Sequence, residues 1–277
     1  MKAVHLPAHQ AFLRYLEIPG ADPPLLWLHG WQCTSSGELL GAAVHPSLSG
    51  RRSLLIDLLG HGYSDRPEEF AYTPEAHAAT ITILIDALGL TQCGMVAHSM
   101  GATIAIHVAA ARPEVVSLLV LAEGGPDIAD REPGSLGRLA GQSEAEYVST
   151  GYQALLSGLA ETAAADPGGV SAVHLGITRV VDPRAIHREA RSMDAVDQRE
   201  LASLLVGLKM PRWYLQGALS EREPDFERFL TESAIGFAIV PDAAHPMGLQ
   251  NPSGLAATVA EVVAKSWQPT TPEGVDP

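Results

Sequence analysis

A serine on a short turn is the residue of this chain with the clearest chemical potential. Ser99 lies in residues 96–102 (VAHSMGA), between an apolar run and a stretch of small, helix-forming residues. The pattern approaches G-x-S-x-G, with Ala97 at the first glycine position. Small neighbours permit a tight strand-to-helix turn, which projects the hydroxyl at the carboxyl edge of a sheet. The segment therefore favours a nucleophilic serine, and the alternative is a serine that only caps a helix.

Apolar runs that alternate with helical patterns must position this serine. Several runs are continuously apolar, which is typical of strands buried on both faces. Strands are predicted over residues 12–18, 25–28, 53–56, 92–97, 115–122, 213–216 and 235–240. Helices are predicted over residues 73–88, 101–111, 221–230 and 252–265. This alternation predicts an α/β fold with a doubly wound, mostly parallel sheet and right-handed crossovers.

One long segment, residues 125–208, interrupts the alternation. Its helix-like stretches are residues 144–159, 183–190 and 197–207. We expect it to be a helical cap inserted into a core made of residues 1–124 and 209–267. The polar, proline-rich residues 268–277 are expected to form a flexible tail.

The composition excludes several classes of protein. Of the 277 residues, 46% are hydrophobic and 18% are charged, which is enough for a sizeable core and too little charge for a disordered chain. Lys and Arg number 18 against 32 Asp and Glu, so the formal net charge is −14. A nucleic-acid-binding protein needs a basic surface, so we expect no nucleic-acid partner.

The cysteine content and the lengths of the apolar runs indicate which sites and which cellular location to expect. The chain has only Cys33 and Cys93 and no CxxC pair, so neither a disulfide scaffold nor a zinc site is expected. The first residues lack the apolar run of a signal peptide, and no run reaches the length of a membrane span. We therefore expect a cytoplasmic protein with no membrane partner, no metal and no organic cofactor.

Further motifs follow other predicted strands. Residues 29–31 (HGW) and 57–67 (DLLGHGYSDRP) end two predicted strands, and residues 244–246 (AHP) follow the last one. Together with the serine turn, they closely resemble the α/β-hydrolase fold family. The resemblance covers roughly residues 10–125 and 208–266.

The resemblance implies a nucleophile and a base. Ser99 takes the position of the nucleophile, and His245, in the loop after the last strand, takes that of the base which accepts its proton. The order nucleophile, acid, base along the chain is the one expected for this fold. His98 is expected to be structural, because its side chain should point away on the turn. His29 and His61 are expected to shape the wall of the site.

The position of the acidic residue that would pair with His245 departs from the commonest pattern of the family. The usual position, three residues after the strand at 213–216 and its glycine, is occupied by Ser220. Some members carry the acid at the end of the strand next to the nucleophile strand, which here ends in Glu123. A carboxylate that ends an apolar strand is costly unless it is paired or solvated. Glu123 is therefore the predicted acid, and Glu221 and Asp225 are the alternatives.

The resemblance also implies two backbone donors for a developing oxyanion. They are the N–H of Met100, directly after the nucleophile, and the N–H of Trp31, in the loop after the HG motif. Asp57 is expected to brace the turn that contains Gly60 and Gly62.

These features predict a serine hydrolase of the carboxylic ester hydrolase type. It would act on an ester or lactone of a small to medium, largely apolar substrate through an acyl-enzyme, because the predicted cap is rich in Leu and Val. One alternative is a thioesterase, cyclase or acyltransferase in small-molecule biosynthesis. Another is a ligand-binding protein with slow or no turnover. The expected partner is a small-molecule substrate, and the chain is expected to be a monomer or homodimer.

Overall fold

Eight strands form one sheet in the computed structural model of the chain, which describes residues 1–126, 135–221 and 223–267. The strands are β1 (Lys2–Leu6), β2 (Ala11–Ile18), β3 (Ala21–Leu28), β4 (Arg51–Asp57), β5 (Cys93–His98), β6 (Val116–Ala122), β7 (Arg212–Gly217) and β8 (Gly236–Val240). All seven predicted strands are present. Strand β1 was not predicted, because it is a short edge strand of five residues, only two of which are buried.

The sheet is mostly parallel, as predicted. Its strand order is β1-β2-β4-β3-β5-β6-β7-β8. β2 runs antiparallel to β1 and β4, and every pairing from β4 to β8 is parallel. The carboxyl ends of β3, β5, β6 and β7 are in register, with Leu28 opposite Ala97, and Ala122 between His98 and Leu215. Residues that follow these strands therefore meet at one edge of the sheet.

Helices cover both faces of this sheet. They are α1 (Ser35–Glu38), α2 (Leu40–Ala43), α3 (Pro74–Ala87), α4 (Met100–Ala111), α5 (Ser135–Ala140), α6 (Glu144–Glu146), α7 (Tyr152–Ala165), α8 (Val170–Thr178), α9 (Pro183–Asp194), α10 (Gln198–Gly207), α11 (Pro224–Glu232), α12 (Met247–Gln250) and α13 (Pro252–Ser266). A π-helical turn at Tyr147–Gly151 joins α6 to α7. None of the described helices is both long and apolar enough to cross a lipid bilayer.

Alternate residues of the central strands feed two separate apolar cores. On one face, Leu26 and Leu28 of β3 belong to a core that includes residues of α3 and α4. On the other face, Leu25 and Trp27 belong to a core that includes residues of α2 and α13. All four side chains are fully buried, which explains why the sequence of this strand is a continuous apolar run.

The segment between β6 and β7 is helical where the structure describes it. Helices α5 to α10 lie in it, and α10 packs on α4 through the buried side chains of Leu201 and Leu205. Residues 127–134 of the predicted cap and the predicted tail at 268–277 lie outside the described residues.

Candidate active site

Ser99 lies on a sharp turn between β5 and α4. Its backbone has φ of 52° and ψ of −121°, a conformation that few side-chain-bearing residues adopt. Glycines pack against the turn. A side chain at Gly124 would collide with the Ser99 carbonyl, and one at Gly101 would lie 2.6 Å from the carbonyl of His29. The small residues of the motif are thus required by close backbone approach, and Ala97 is accommodated because it lies within β5.

His245 approaches this serine from the loop between β8 and α12. Its Nε2 lies 3.1 Å from the Oγ of Ser99, although the two residues are 146 positions apart. The imidazole is 56% exposed, so solvent reaches it. The geometry is that of a base placed to accept a hydroxyl proton.

Glu123, at the end of β6, holds the other nitrogen of this imidazole. Its Oε2 lies 3.1 Å from Nδ1 of His245, and its Oε1 accepts a hydrogen bond of 2.7 Å from the Gly217 amide. Burial would raise the pKa of Glu123, but hydrogen bonds from His245, Ser220 and Gly217 outweigh it and lower that pKa. The ionised carboxylate therefore accepts from Nδ1–H, which leaves the lone pair of Nε2 facing Ser99.

The two alternative acids lie elsewhere. Asp225 is exposed at the start of α11 and pairs with Arg228 at 2.9 Å. Glu221 is exposed, and its main-chain carbonyl accepts a hydrogen bond from Gln216. The structure thus brings Glu123, and neither alternative, to His245. Ser220, which stands at the usual acid position, hydrogen-bonds Glu123 instead.

The two predicted oxyanion donors belong to residues near Ser99 in the chain or in the fold. Met100 is the first residue of α4. The N–H groups in the first turn of a helix have no carbonyl partner within that helix, so the Met100 N–H is one of them. Trp31 follows Gly30, where a side chain would lie 3.2 Å from the Cβ of Ser99. The indole Nε1 of Trp31 donates to the carbonyl of Ile186 on α9 at 3.0 Å. Its ring therefore joins the loop after β3 to the helical segment.

The predicted supporting residues brace the loops around the site. Asp57 accepts hydrogen bonds from the amide and hydroxyl of Ser36 and from the amide of Tyr63. His29 and His61 are fully buried. Nε2 of His29 accepts from the Leu58 amide at 3.1 Å. Burial lowers the pKa of both imidazoles to about 4, so both are neutral supports of the wall.

Helices α8 and α9 lie against the loops that follow β3 and β4. The Gly62 amide donates to the carbonyl of Val180, and the Asp182 amide donates to the carbonyl of Gly60, at 3.0 and 2.8 Å. Ile177 of α8 sits where a side chain on Gly37 would be, at 2.8 Å. The helical segment is therefore attached at the same edge of the sheet as Ser99.

Sequence reasoning missed one buried residue of this site. Glu38 of α1 is 1% exposed and lies 2.6 Å from His98, beside the nucleophile. No motif marks it, because the contact joins positions 38 and 98 across the sheet edge. Among the described residues, no group of three or more His, Cys, Asp or Glu side chains is arranged to hold a metal ion.

A model of the alpha/beta hydrolase fold family matches residues 23–171, more than half of the chain. The chain belongs to the α/β-hydrolase fold family. It is similar to a 2-hydroxymuconate semialdehyde hydrolase of Pseudomonas putida, with 36% identity over 102 residues. That match covers 37% of this chain and only 36% of the relative, so about a third of the relative's length is spanned.

Solved structures match over nearly the whole chain. An enol-lactonase from Burkholderia xenovorans superposes with a TM-score of 0.77 at 20% identity, over 95% of this chain and 100% of that one. An esterase from Thermogutta terrifontis gives a TM-score of 0.76 at 19% identity, over 96% and 99%. At these identities the likeness concerns the fold.

Proposed function

We propose that this chain is a serine hydrolase that cleaves a carboxylic ester or lactone through an acyl-enzyme on Ser99. The observation that carries the proposal is the pair of 3.1 Å contacts that join Ser99 Oγ to His245 Nε2 and His245 Nδ1 to Glu123. Such an arrangement of hydroxyl, imidazole and carboxylate activates a serine that is otherwise a weak nucleophile.

The proposed reaction has two halves. In the first, His245 takes the proton of Ser99 while Oγ bonds to the substrate carbonyl carbon, and the carbonyl oxygen becomes an oxyanion. The amides of Trp31 and Met100 donate to it. The intermediate then expels the alcohol, which takes the proton from His245. In the second half, His245 deprotonates a water molecule, which attacks the acyl-enzyme, and the acid leaves as Ser99 recovers its proton.

Glu123 supports both halves without exchanging a proton. Its lowered pKa keeps it ionised, so it stabilises the imidazolium that forms twice in each cycle. A fixed carboxylate also prevents the imidazole from turning over to present the wrong nitrogen to Ser99.

The substrate class rests on the family and on the attached helices. An enol-lactonase and an esterase share the fold over almost their full length, which favours carboxylic ester or lactone cleavage. We also propose that residues 125–208 act as a cap, because α8 and α9 contact the loops beside Ser99. A cap of this kind excludes water and sets substrate shape.

Carbon–carbon bond hydrolysis is a second candidate, favoured by the similarity to a hydrolase whose name specifies 2-hydroxymuconate semialdehyde. The same nucleophile, base and oxyanion donors would serve an activated C–C bond. The two candidates differ in the group that leaves the carbonyl carbon, an oxygen in one and a carbon in the other.

A substrate panel tests the proposal. We expect hydrolysis of p-nitrophenyl esters of graded acyl length or of members of a lactone panel, and its loss in Ser99→Ala. Transfer of the acyl group to an added amine or alcohol in preference to water would point to an acyltransferase. Activity confined to vinylogous diketones would select the C–C candidate. Tight ligand binding without turnover, unchanged in Ser99→Ala, would contradict an enzymatic role.

A further inference from the structure

Glu38 is a buried carboxylate that contacts two different parts of the site. Its Oε2 accepts from the Gly30 amide at 3.1 Å, in the loop that carries Trp31. Its Oε1 lies 2.6 Å from Nδ1 of His98 as an ion-pair contact, off the line of a straight hydrogen bond. The Cys33 thiol also hydrogen-bonds this carboxyl. A carboxylate surrounded by donors is favoured in its ionised form.

His98 connects this carboxylate to the base loop. Its Nε2 lies 2.7 Å from the carbonyl oxygen of His245, and the two imidazole rings are 4.8 Å apart. Both nitrogens of His98 therefore face oxygen acceptors, and an imidazole can donate from both only when it is protonated.

The charge balance agrees with this geometry. Burial would lower the pKa of His98, but the attraction of the Glu38 carboxylate outweighs it and raises that pKa. Burial would raise the pKa of Glu38, but the charge of His98 lowers it to about 2. The cost of burying either charge in such a pair is offset only when its partner is also present.

We propose that Glu38 and His98 form a positioning pair that holds the oxyanion loop and the base loop in register around the nucleophile. Glu38 fixes the Gly30 amide, and with it the neighbouring N–H of Trp31. His98 fixes the main chain of His245, while its own backbone leads directly into Ser99. This inference rests on the proposed function, since it assigns a role in the same reaction.

The geometry, rather than the charge, carries the proposed role. A glutamine at position 38 can accept from Gly30 and donate to a neutral His98, whose Nε2–H then still reaches the carbonyl of His245. An alanine at position 38 removes both contacts. Phenylalanine at position 98 keeps a ring of similar size and removes both N–H groups.

Steady-state kinetics of four variants test the pair, with folding checked by circular dichroism and thermal unfolding. Glu38→Ala and His98→Phe are expected to lower kcat about 10- to 100-fold with KM within about threefold, because misplacement of reacting groups costs rate more than substrate binding. Glu38→Gln should restore kcat to within about threefold of the wild type. Glu17→Gln, which alters a half-buried carboxylate that pairs with Arg52 on β4 away from the site, should leave kcat unchanged.

Three outcomes would overturn the positioning role. They are a folded Glu38→Ala with wild-type kcat, a folded His98→Phe with wild-type kcat, or a Glu38→Gln as slow as Glu38→Ala. If Glu38→Ala does not fold, kcat of His98→Phe and of Glu38→Gln, each compared with that of the wild type, tests the role instead. A wild-type protein that hydrolyses no ester or lactone contradicts the proposed function itself, whereas an active wild type with unaffected variants contradicts only the pair.

Discussion

At the residue scale, the proposed chemistry depends on which nitrogen of His245 carries the proton. Glu123 accepts from Nδ1 at 3.1 Å, so Nε2 presents a lone pair to Ser99 at the same distance. In the proposed mechanism the three residues therefore have separate roles: Ser99 is the nucleophile, His245 carries the proton and Glu123 fixes the orientation of His245.

Removal of the nucleophile or the base should abolish turnover. Ser99→Ala and His245→Ala are each expected to lower kcat by about 10³-fold or more. The first variant has no nucleophile for His245 to activate, and the second has no base to take the proton of Ser99. Hydrolysis of the best ester from the substrate panel measures the loss. Unfolding curves should remain close to those of the wild type, since His245 is half-exposed and Ser99 is small. A folded variant with more than a tenth of wild-type kcat would contradict the assigned roles.

The acid assignment makes a separate prediction. Glu123→Gln is expected to lower kcat by about 10²- to 10⁴-fold, because an amide can hold the imidazole in the wrong tautomer. Asp225→Asn, which alters an exposed carboxylate that pairs with Arg228, is the control and should retain wild-type kcat. Glu221→Gln should behave like this control. The opposite ranking of the three variants would show that Glu123 is misassigned.

At the element scale, helix α3 illustrates how local sequence signals set the framework. Thr73 caps it by accepting a hydrogen bond from the Ala76 amide at 3.1 Å, and Pro74 occupies its first turn. The buried face of α3 includes Ile81, Leu84 and Ile85.

Loss of this cap should weaken the fold without touching the site. Thr73→Ala is expected to lower the free energy of unfolding by about 1 kcal/mol, measured by urea denaturation. Thr82→Ala is the control, because Thr82 is half-buried within the same helix and its hydroxyl donates to the Ala79 carbonyl in the preceding turn. An equal effect of the two substitutions would mean that the cap contributes nothing.

Helix α9 is joined to the core by a buried polar cluster. Glu189 is 1% exposed, and its Oε1 lies 2.8 Å from Nε2 of His61 and 3.0 Å from Nε2 of His77. Nδ1 of His61 faces the carbonyl of Cys33 at 2.8 Å, so Nε2 can accept a hydrogen bond from a protonated Glu189. Burial raises the pKa of Glu189 to about 7, against the opposing hydrogen bond of His77.

This cluster makes stability depend on pH. The pKa of a glutamate in the unfolded chain is near its ordinary value of 4.5, so between about pH 4.5 and 7 the folded chain holds a proton that the unfolded chain has lost. The contribution of Glu189 to stability therefore falls as pH rises through this window and levels off above it. The free energy of unfolding of Glu189→Gln, relative to that of the wild type, should therefore increase as the pH is raised from about 5 to about 8. Glu161→Gln, exposed on α7, should show no such gain, and equal pH profiles for all three proteins would contradict the assignment.

At the scale of the whole molecule, the sheet brings distant residues to one edge. Its mostly parallel character could be anticipated because the central strands are unbroken apolar runs, and runs such as 25–28 are buried on both faces. Ser99 and Glu123 follow neighbouring strands, β5 and β6, so the topology alone places them close together.

Other parts of the molecule could not be predicted from the sequence. Helix α8 starts without a capping side chain, and strand β1 has only two buried residues, so neither carries a clear local signal. The contact of Glu38 with His98 depends on how the loop after β3 folds back against β5, which no local pattern encodes. Pairings across the sheet edge follow from tertiary packing rather than from residue spacing.

Active-site labelling tests the central claim most directly. We expect a fluorophosphonate to form one covalent adduct per chain, located on Ser99 by peptide mass mapping, since only an activated serine reacts at a useful rate. Labelling should be absent in Ser99→Ala and slowed by about 10³-fold in His245→Ala. A folded protein that forms no adduct, or that reacts equally fast without His245, would contradict the proposal that these two residues act together as nucleophile and base.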